Sequence, residues 1–225
     1  EAAIANYELA ARMQTAVPDL TDIRNETEAT KRLYGFEHSY PHTRSYAAQC
    51  LLARRLVEQG VRFVQLFNGA YASGGRLNWD GHNKLKPQYD HHSEILDQPV
   101  AGLLIDLARR GMLEDTLLVF CTEFGRLPIA QLGGDKSVLK AGRDHNQNAM
   151  VTWLAGAGIK RGHIHGTTDE IGLKAGDQKV TVHDWHATML DQLGMHHQEL
   201  YYQRNGLKER LTSVFPAKVI EEICA

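Results

Sequence analysis

Ser93-Glu94-Ile95-Leu96-Asp97-Gln98-Pro99-Val100-Ala101-Gly102-Leu103-Leu104-Ile105-Asp106-Leu107-Ala108-Arg109-Arg110-Gly111, followed by Thr116-Leu117-Leu118-Val119-Phe120-Cys121-Thr122, is the stretch that decides the fold class. In the first run Ile95, Leu96, Val100, Leu103, Leu104 and Leu107 recur at helical spacing, and Gly111 stands where a helix takes its left-handed cap; the pattern predicts a helix over 93–110. The second run is short, unbroken and apolar, the mark of a strand buried on both faces. Its cysteine, Cys121, therefore reads as a buried free thiol, and with Cys50 and Cys224 it makes an odd count that gives no disulfide framework.

Working outward, the same periods recur. Thr43 is placed to cap a helix running to Gln59, with Tyr46, Cys50, Leu51, Ala53, Leu56 and Val57 as its buried stripe and Gly60 as its end. Val61–Phe67 then reads as a strand, and residues 68–92 as a long polar loop. Residues 1–36 are polar and helical in pattern, interrupted at Pro18 and stopped at Gly35. Downstream, strands are expected at Met150–Ala155 and Lys179–Val182, and a helix from about Asp184 to Leu193 closed by Gly194. A hairpin is expected over Leu200–Leu211, turning at Asn205-Gly206, and a helix after Pro216.

Helices alternating with apolar strands predict an α/β fold with a mostly parallel sheet covered by helices on both faces, and a small C-terminal hairpin. Residues 1–42 are expected to form an N-terminal helical arm and residues 43–225 the α/β domain. Asp80 and Glu123 follow predicted strands, whereas His145 precedes one. For His145 to join them, the strand at 150–155 must run antiparallel or its loop must cross the sheet edge.

A chain of 225 residues with net charge −2 and 23% charged residues carries no field that would gather nucleic acid or an anionic membrane, and neither is expected as a partner. No window has the length and hydropathy of a membrane span, and residues 1–20 lack the pattern of an export signal. The chain begins without methionine in a helix-like segment, as a fragment or processed form would.

Three clusters carry the chemistry. Trp79-Asp80-Gly81-His82-Asn83 places a carboxylate and an imidazole two residues apart in a glycine-containing loop, free to converge on one ion. Gly142-Arg143-Asp144-His145-Asn146 offers an imidazole, a neighbouring carboxylate and an amide, with Arg143 suited to an anion. His183-Asp184-Trp185-His186 opens a helix: Asp184 is placed to cap it, and His183 and His186 are candidates for direct ligands or donors to ligands. Between them, Glu123 at a strand end is a metal ligand, a general base or a turn cap, and Arg126 either grips an anionic ester or pairs with Glu123. The adjacent pairs His91-His92 and His196-His197 point apart on most backbones and make poor chelates.

Asp80, His82, Glu123, Asp144 and His145 are thus the metal-ligand candidates, and Arg126, Arg143, His183 and His186 the catalytic ones. Mixed imidazole and carboxylate donors favour zinc or manganese and admit calcium. The competing reading is a non-catalytic binding or scaffold module whose His/Asp clusters serve structure.

With these motifs in place, the chain resembles the C-terminal half of the sulfatase-like domain-of-unknown-function 1501 family, a branch of the alkaline phosphatase superfamily. The stretches that carry the resemblance are Gln49–Glu58 leading into Gly60–Gln65, Trp79-Asp80 with His82, Asp97-Gln98-Pro99, Glu123-Phe124-Gly125-Arg126 with Pro128, Gly142–Asn146, and His183-Asp184 with His186-Ala187-Thr188. They cover roughly residues 43 to 195. The resemblance implies a partial alkaline-phosphatase-like core, a divalent metal, and hydrolysis of phosphate or sulfate esters, of small molecules or of polysaccharides. Superfamily metal roles fall on Asp80, His82, Glu123 and His145, while Phe124 stands where phosphatases often keep a histidine. The nucleophile region of such enzymes has no equivalent here: either it lies in an N-terminal half outside this chain, which alone would be inactive and which is the reading the resemblance favours, or this member works differently. It also implies a periplasmic or extracellular setting.

Overall fold

The computed structural model describes residues 2–68, 78–134, 136–212 and 214–225, and its packing divides into two compact units, 1–112 and 113–225. Each is built differently.

The first unit is helical among its described residues. α1 (Ala2–Thr21) carries Pro18 near its end, and α2 (Glu28–Tyr34) begins at Thr27, whose hydroxyl accepts from Thr30 N at 3.1 Å. Gly35 closes α2 with φ 96°, donating its N–H to the Lys31 and Arg32 carbonyls. α3 (Pro41–Glu58) starts at an N-cap Tyr40, with Pro41 occupying the first helical position, where a missing N–H costs nothing. The expected start at Thr43 is thereby corrected. Thr43 lies inside the helix, fully buried, and its hydroxyl donates to Glu94 O at 3.0 Å. α4 (Leu85–Arg109) begins eight residues before the predicted Ser93. Its first turns read as loop because their polar side chains are structural: Gln88 is buried and Lys86 reaches Asp90 at 2.5 Å.

α3 packs on α4 and α2 crosses α4 at Gly102, where a Cβ would meet Leu33 O at 2.8 Å and Tyr34 Cα at 2.9 Å. Tyr34, Tyr46, Ala47, Cys50, Leu51, Ile95, Leu103 and Leu107 form the core. Threaded through it is an ionic group. Arg54, 2% exposed, donates to Glu26 at 2.6 Å and Glu58 at 2.7 Å. Its Nε lies 3.1 Å from Asp106 Oδ2, an ionic contact too oblique for a hydrogen bond. Asp106 also accepts from Tyr34 Oη at 3.0 Å and Arg110 Nε at 2.8 Å.

The expected strand at Val61–Phe67 does not form. Its alternation is present, with Val64 and Leu66 half-buried and Phe63 and Phe67 exposed, but no neighbouring strand pairs with it among the described residues. Alternation selects a face; only a partner makes a ladder.

The second unit holds six short strands and one α-helix among its described residues: β1 (Leu117–Phe120), β2 (Gly125–Arg126), β3 (His145–Asn146), β4 (Trp153–Gly156), α5 (Val182–Gln192), β5 (Tyr201–Arg204) and β6 (Leu207–Arg210). They form three separate antiparallel pairs, β1 with β4, β2 with β3, and β5 with β6. The expected parallel sheet and alkaline-phosphatase-like core are therefore not found among the described residues. A parallel return needs a crossover of a dozen or more residues, usually a helix. The described chain between β1 and β4 contains a 3-10 turn, the β2–β3 ladder and a single Gln131–Gly142 bridge but no α-helix, and it returns antiparallel. Phe120 stands opposite Trp153, their rings stacked 5.6 Å apart.

The predicted hairpin is present, with Asn205 and Gly206 both at positive φ, 51° and 79°, as a two-residue turn of the twisted kind requires. No strand forms at Lys179–Val182, because Thr181 is the N-cap of α5. After Pro216 there is one 3-10 turn, Glu221–Ile223, rather than an α-helix. The segment instead seals α5: Lys218 N donates to Asp184 Oδ1 at 2.9 Å and Ile220 N to Thr188 Oγ1 at 3.0 Å. Cys121 is exposed, not buried, since β1 ends at Phe120; the buried thiol is Cys50. No described helix is long and apolar enough to cross a membrane.

Candidate metal and anion sites

In the first unit the Trp79–Asn83 loop is fixed from both ends. Gly81 N donates to Trp79 O and His82 N to Asp80 O, each at 2.9 Å, and Asp80 N donates to Asn78 Oδ1 at 2.8 Å. Buried Gln88, on α4, accepts from Asn78 N at 3.0 Å and donates to Asn83 O, bracketing the loop. Trp79 Nε1 donates to Asn68 Oδ1 at 2.8 Å, and its ring lies 5.2 Å from those of Tyr89 and His92. The result is that His82 Nε2 lies 3.0 Å from Asp80 Oδ1 on a half-open surface. Two ligand atoms each about 2.0–2.1 Å from a common ion lie roughly 3 Å apart, so the pair has the bite of a chelate.

In the second unit the β2–β3 ladder places Arg126 opposite His145 and Gly125 opposite Asn146. Gly125 is required by close approach rather than by φ: a Cβ there would lie 2.0 Å from Ala149 O. Asp144 Oδ1 accepts from His145 N at 2.7 Å, and Arg126 Nη1 donates to Arg143 O at 3.1 Å. The Phe124 ring packs 4.1 Å from His145 and carries the Arg126 guanidinium at 5.9 Å. His145, Asp144 and Arg143 are exposed, while Asn146 is buried and structural, donating to Gly172 O and Leu173 O at 3.3 and 3.1 Å. Glu123 is exposed in the bend after β1, and among the described residues no hydrogen bond or ion pair holds its carboxylate.

The α5 cluster resolves into separate roles. The N-cap is Thr181, whose hydroxyl accepts from Asp184 N at 3.1 Å while Asp184 Oδ2 accepts from Thr181 N at 2.9 Å. Asp184 is thus the third residue of a capping box and not the cap itself. Burial works against its charge, yet donors from Thr181 and Lys218 hold its carboxyl below the usual value of 3.8. His183 packs 4.8 Å from Phe215, and His186 is exposed. Among the described residues neither ring hydrogen-bonds to Asp144 or His145. A hollow of about 90 Å³ lies beside Asp184, lined by His165, Lys179 and Lys218.

One cluster escapes sequence reasoning. His91 and His92, expected to point apart, instead have rings that meet edge to face with centres 4.9 Å apart, and His91 also meets Tyr40 and His42, from a stretch fifty residues away. Spacing along the chain carries no signal for such a meeting.

The sequence profile of a family described as "Protein of unknown function (DUF1501)" matches residues 1–224. The chain belongs to that family. The match extends the resemblance from residues 43–195 to essentially the whole chain, the N-terminal helices included. No curated protein and no solved structure matches it.

Proposed function

We propose that this protein is a metal-dependent hydrolase of phosphate or sulfate esters whose metal ligands are drawn from Asp80, His82, Glu123, Asp144 and His145. The observation that carries the proposal is the Asp80–His82 contact of 3.0 Å in a loop held by Gln88. A carboxylate and an imidazole in that geometry suit zinc or manganese, with calcium the harder alternative. The bound ion would polarise the ester oxygen and stabilise the leaving group. Arg126 and Arg143 would hold the anionic part of the substrate, and His183 or His186 would serve as a direct ligand or as a donor to one. The sulfatase-like assignment, the export of the protein and a polysaccharide substrate rest on the motif resemblance.

The test is turnover of an aryl phosphate and an aryl sulfate by the purified full-length protein, with and without chelator, beside an Asp80→Asn/His82→Ala variant. Chelator-sensitive turnover of one ester, abolished in the variant, is expected. Turnover indifferent to both chelator and variant would overturn the metal mechanism, and none with either ester would favour the scaffold reading.

A further inference from the structure

Three rings meet where α3 and α4 begin. Tyr40 is the N-cap of α3, His42 lies in its first turn, and His91 is in the second turn of α4. Ring centres are 5.2 Å apart for Tyr40 and His42, 5.3 Å for Tyr40 and His91, and 5.9 Å for His42 and His91. Tyr40 Oη lies within hydrogen-bond reach of His91 Nδ1, and 3.3 Å from its Nε2. Interplanar angles of 70°, 76° and 63° set the rings edge to face, and the hydrogen bond turns the phenol oxygen onto the nitrogen-bearing edge of His91. Simple aromatic packing of this kind contributes about 0.5–1.5 kcal/mol per pair. Packing alone does not call for imidazoles, or for His42, which is exposed to solvent.

From this geometry we propose that Tyr40, His42 and His91 form a second metal site, taking a late first-row transition-metal ion such as Zn2+ and clasping α3 to α4. Two imidazoles on one tetrahedral ion, with metal–nitrogen bonds of about 2 Å, place their ring centres roughly 5–6 Å apart, and the His42 and His91 ring centres are 5.9 Å apart. Two imidazoles and a phenol suit zinc or copper and disfavour calcium and magnesium. The scaffold is set in advance: Tyr40 N donates to His38 Nδ1 at 3.1 Å, and Arg44 Nη1 donates to the His38 and Ser39 carbonyls at 2.7 and 3.0 Å. The site shares no ligand with the Asp80–His82 pair, from which His92 and Trp79 separate it through ring contacts of 4.9 and 5.2 Å.

The test is calorimetric titration of Zn2+ into the full chain and three variants: His42→Ala/His91→Gln, His42→Gln alone, and Asp80→Asn/His82→Ala. The site predicts that Asp80→Asn/His82→Ala keeps a zinc equivalent that His42→Ala/His91→Gln loses, with His42→Gln weakening it at least about tenfold. It also predicts that zinc raises the melting temperature of the Asp80→Asn/His82→Ala variant, and that adding His42→Ala/His91→Gln to that variant abolishes the rise. Because His42 is exposed, the single variant folds even if the double variant does not. Zinc affinity unchanged in His42→Gln, or no zinc bound by Asp80→Asn/His82→Ala, would overturn the proposal.

Discussion

Arg54 Nη2 lies 2.6 Å from Glu26 Oε1, with the arginine side chain 2% and the glutamate 10% exposed. A buried charge pair gains little net stability over an apolar one, but removing one partner strands the other. Arg54 has three carboxylate partners, Glu26, Glu58 and Asp106, of which Asp106 is buried and Glu26 nearly so. Arg54→Ala should therefore cost about 3–5 kcal/mol in urea unfolding. A loss under about 1 kcal/mol would show that water replaces the guanidinium without penalty.

The Asp184 carboxyl supplies a pH dependence with a defined sign. Its folded pKa is held below 3.8, so the unfolded chain binds the proton first as pH falls. Its contribution is fully present above that value and is lost as pH drops through the folded one. Asp184→Asn should thus be less stable than the parent at pH 6, by about 1 kcal/mol, with the gap closing below pH 4. A gap that widens on acidification would contradict the capping assignment.

The glycine stops of the helices, the hairpin and β1 are legible in the sequence because each is decided by neighbours along the chain. Gly35 must adopt positive φ, Asn205-Gly206 turns the hairpin, and Leu117–Phe120 is apolar throughout. What the sequence does not disclose is pairing. Val61–Phe67 alternates like a strand yet has no described partner, and β1 finds β4 antiparallel across a segment with no α-helix among its described residues. The start of α4 is hidden for a local reason: its N-cap Lys84 has φ 46° and makes no side-chain cap, so no serine, threonine or aspartate marks it. At the sites, the Asp80–His82 pairing follows from their spacing. The Arg126–His145 register does not, because a two-residue ladder has no period to read.

Burial pushes the Cys50 thiol up to about 12, while Cys121 is exposed. At pH 8 an aromatic disulfide reagent should label Cys121 in the native protein and reach Cys50 only after denaturant is added. Equal labelling rates for the two would contradict the packing of α3.

Gly125→Ala should break the β2–β3 ladder, since the added Cβ falls 2.0 Å from Ala149 O and backbone cannot yield as a side chain does. The cost by overpacking is about 1–3 kcal/mol, confined to the second unit. Hydrogen exchange would show faster amides around Arg126 and His145 with those of α3 and α4 unchanged; protection retained at Arg126 would refute the close approach.

Gln88 positions the Asp80–His82 loop without itself being a ligand, through its bonds to Asn78 and Asn83. Gln88→Ala should weaken zinc binding at that pair by about 10–100-fold and leave the His42–His91 site untouched.

Zinc held by the Asp80–His82 pair is read most directly as zinc content per chain after loading and desalting, in a His42→Ala/His91→Gln background so that only that pair is counted. Stoichiometric zinc is expected in that background, and its loss on adding Asp80→Asn/His82→Ala. Zinc content unchanged by those two substitutions would contradict that assignment.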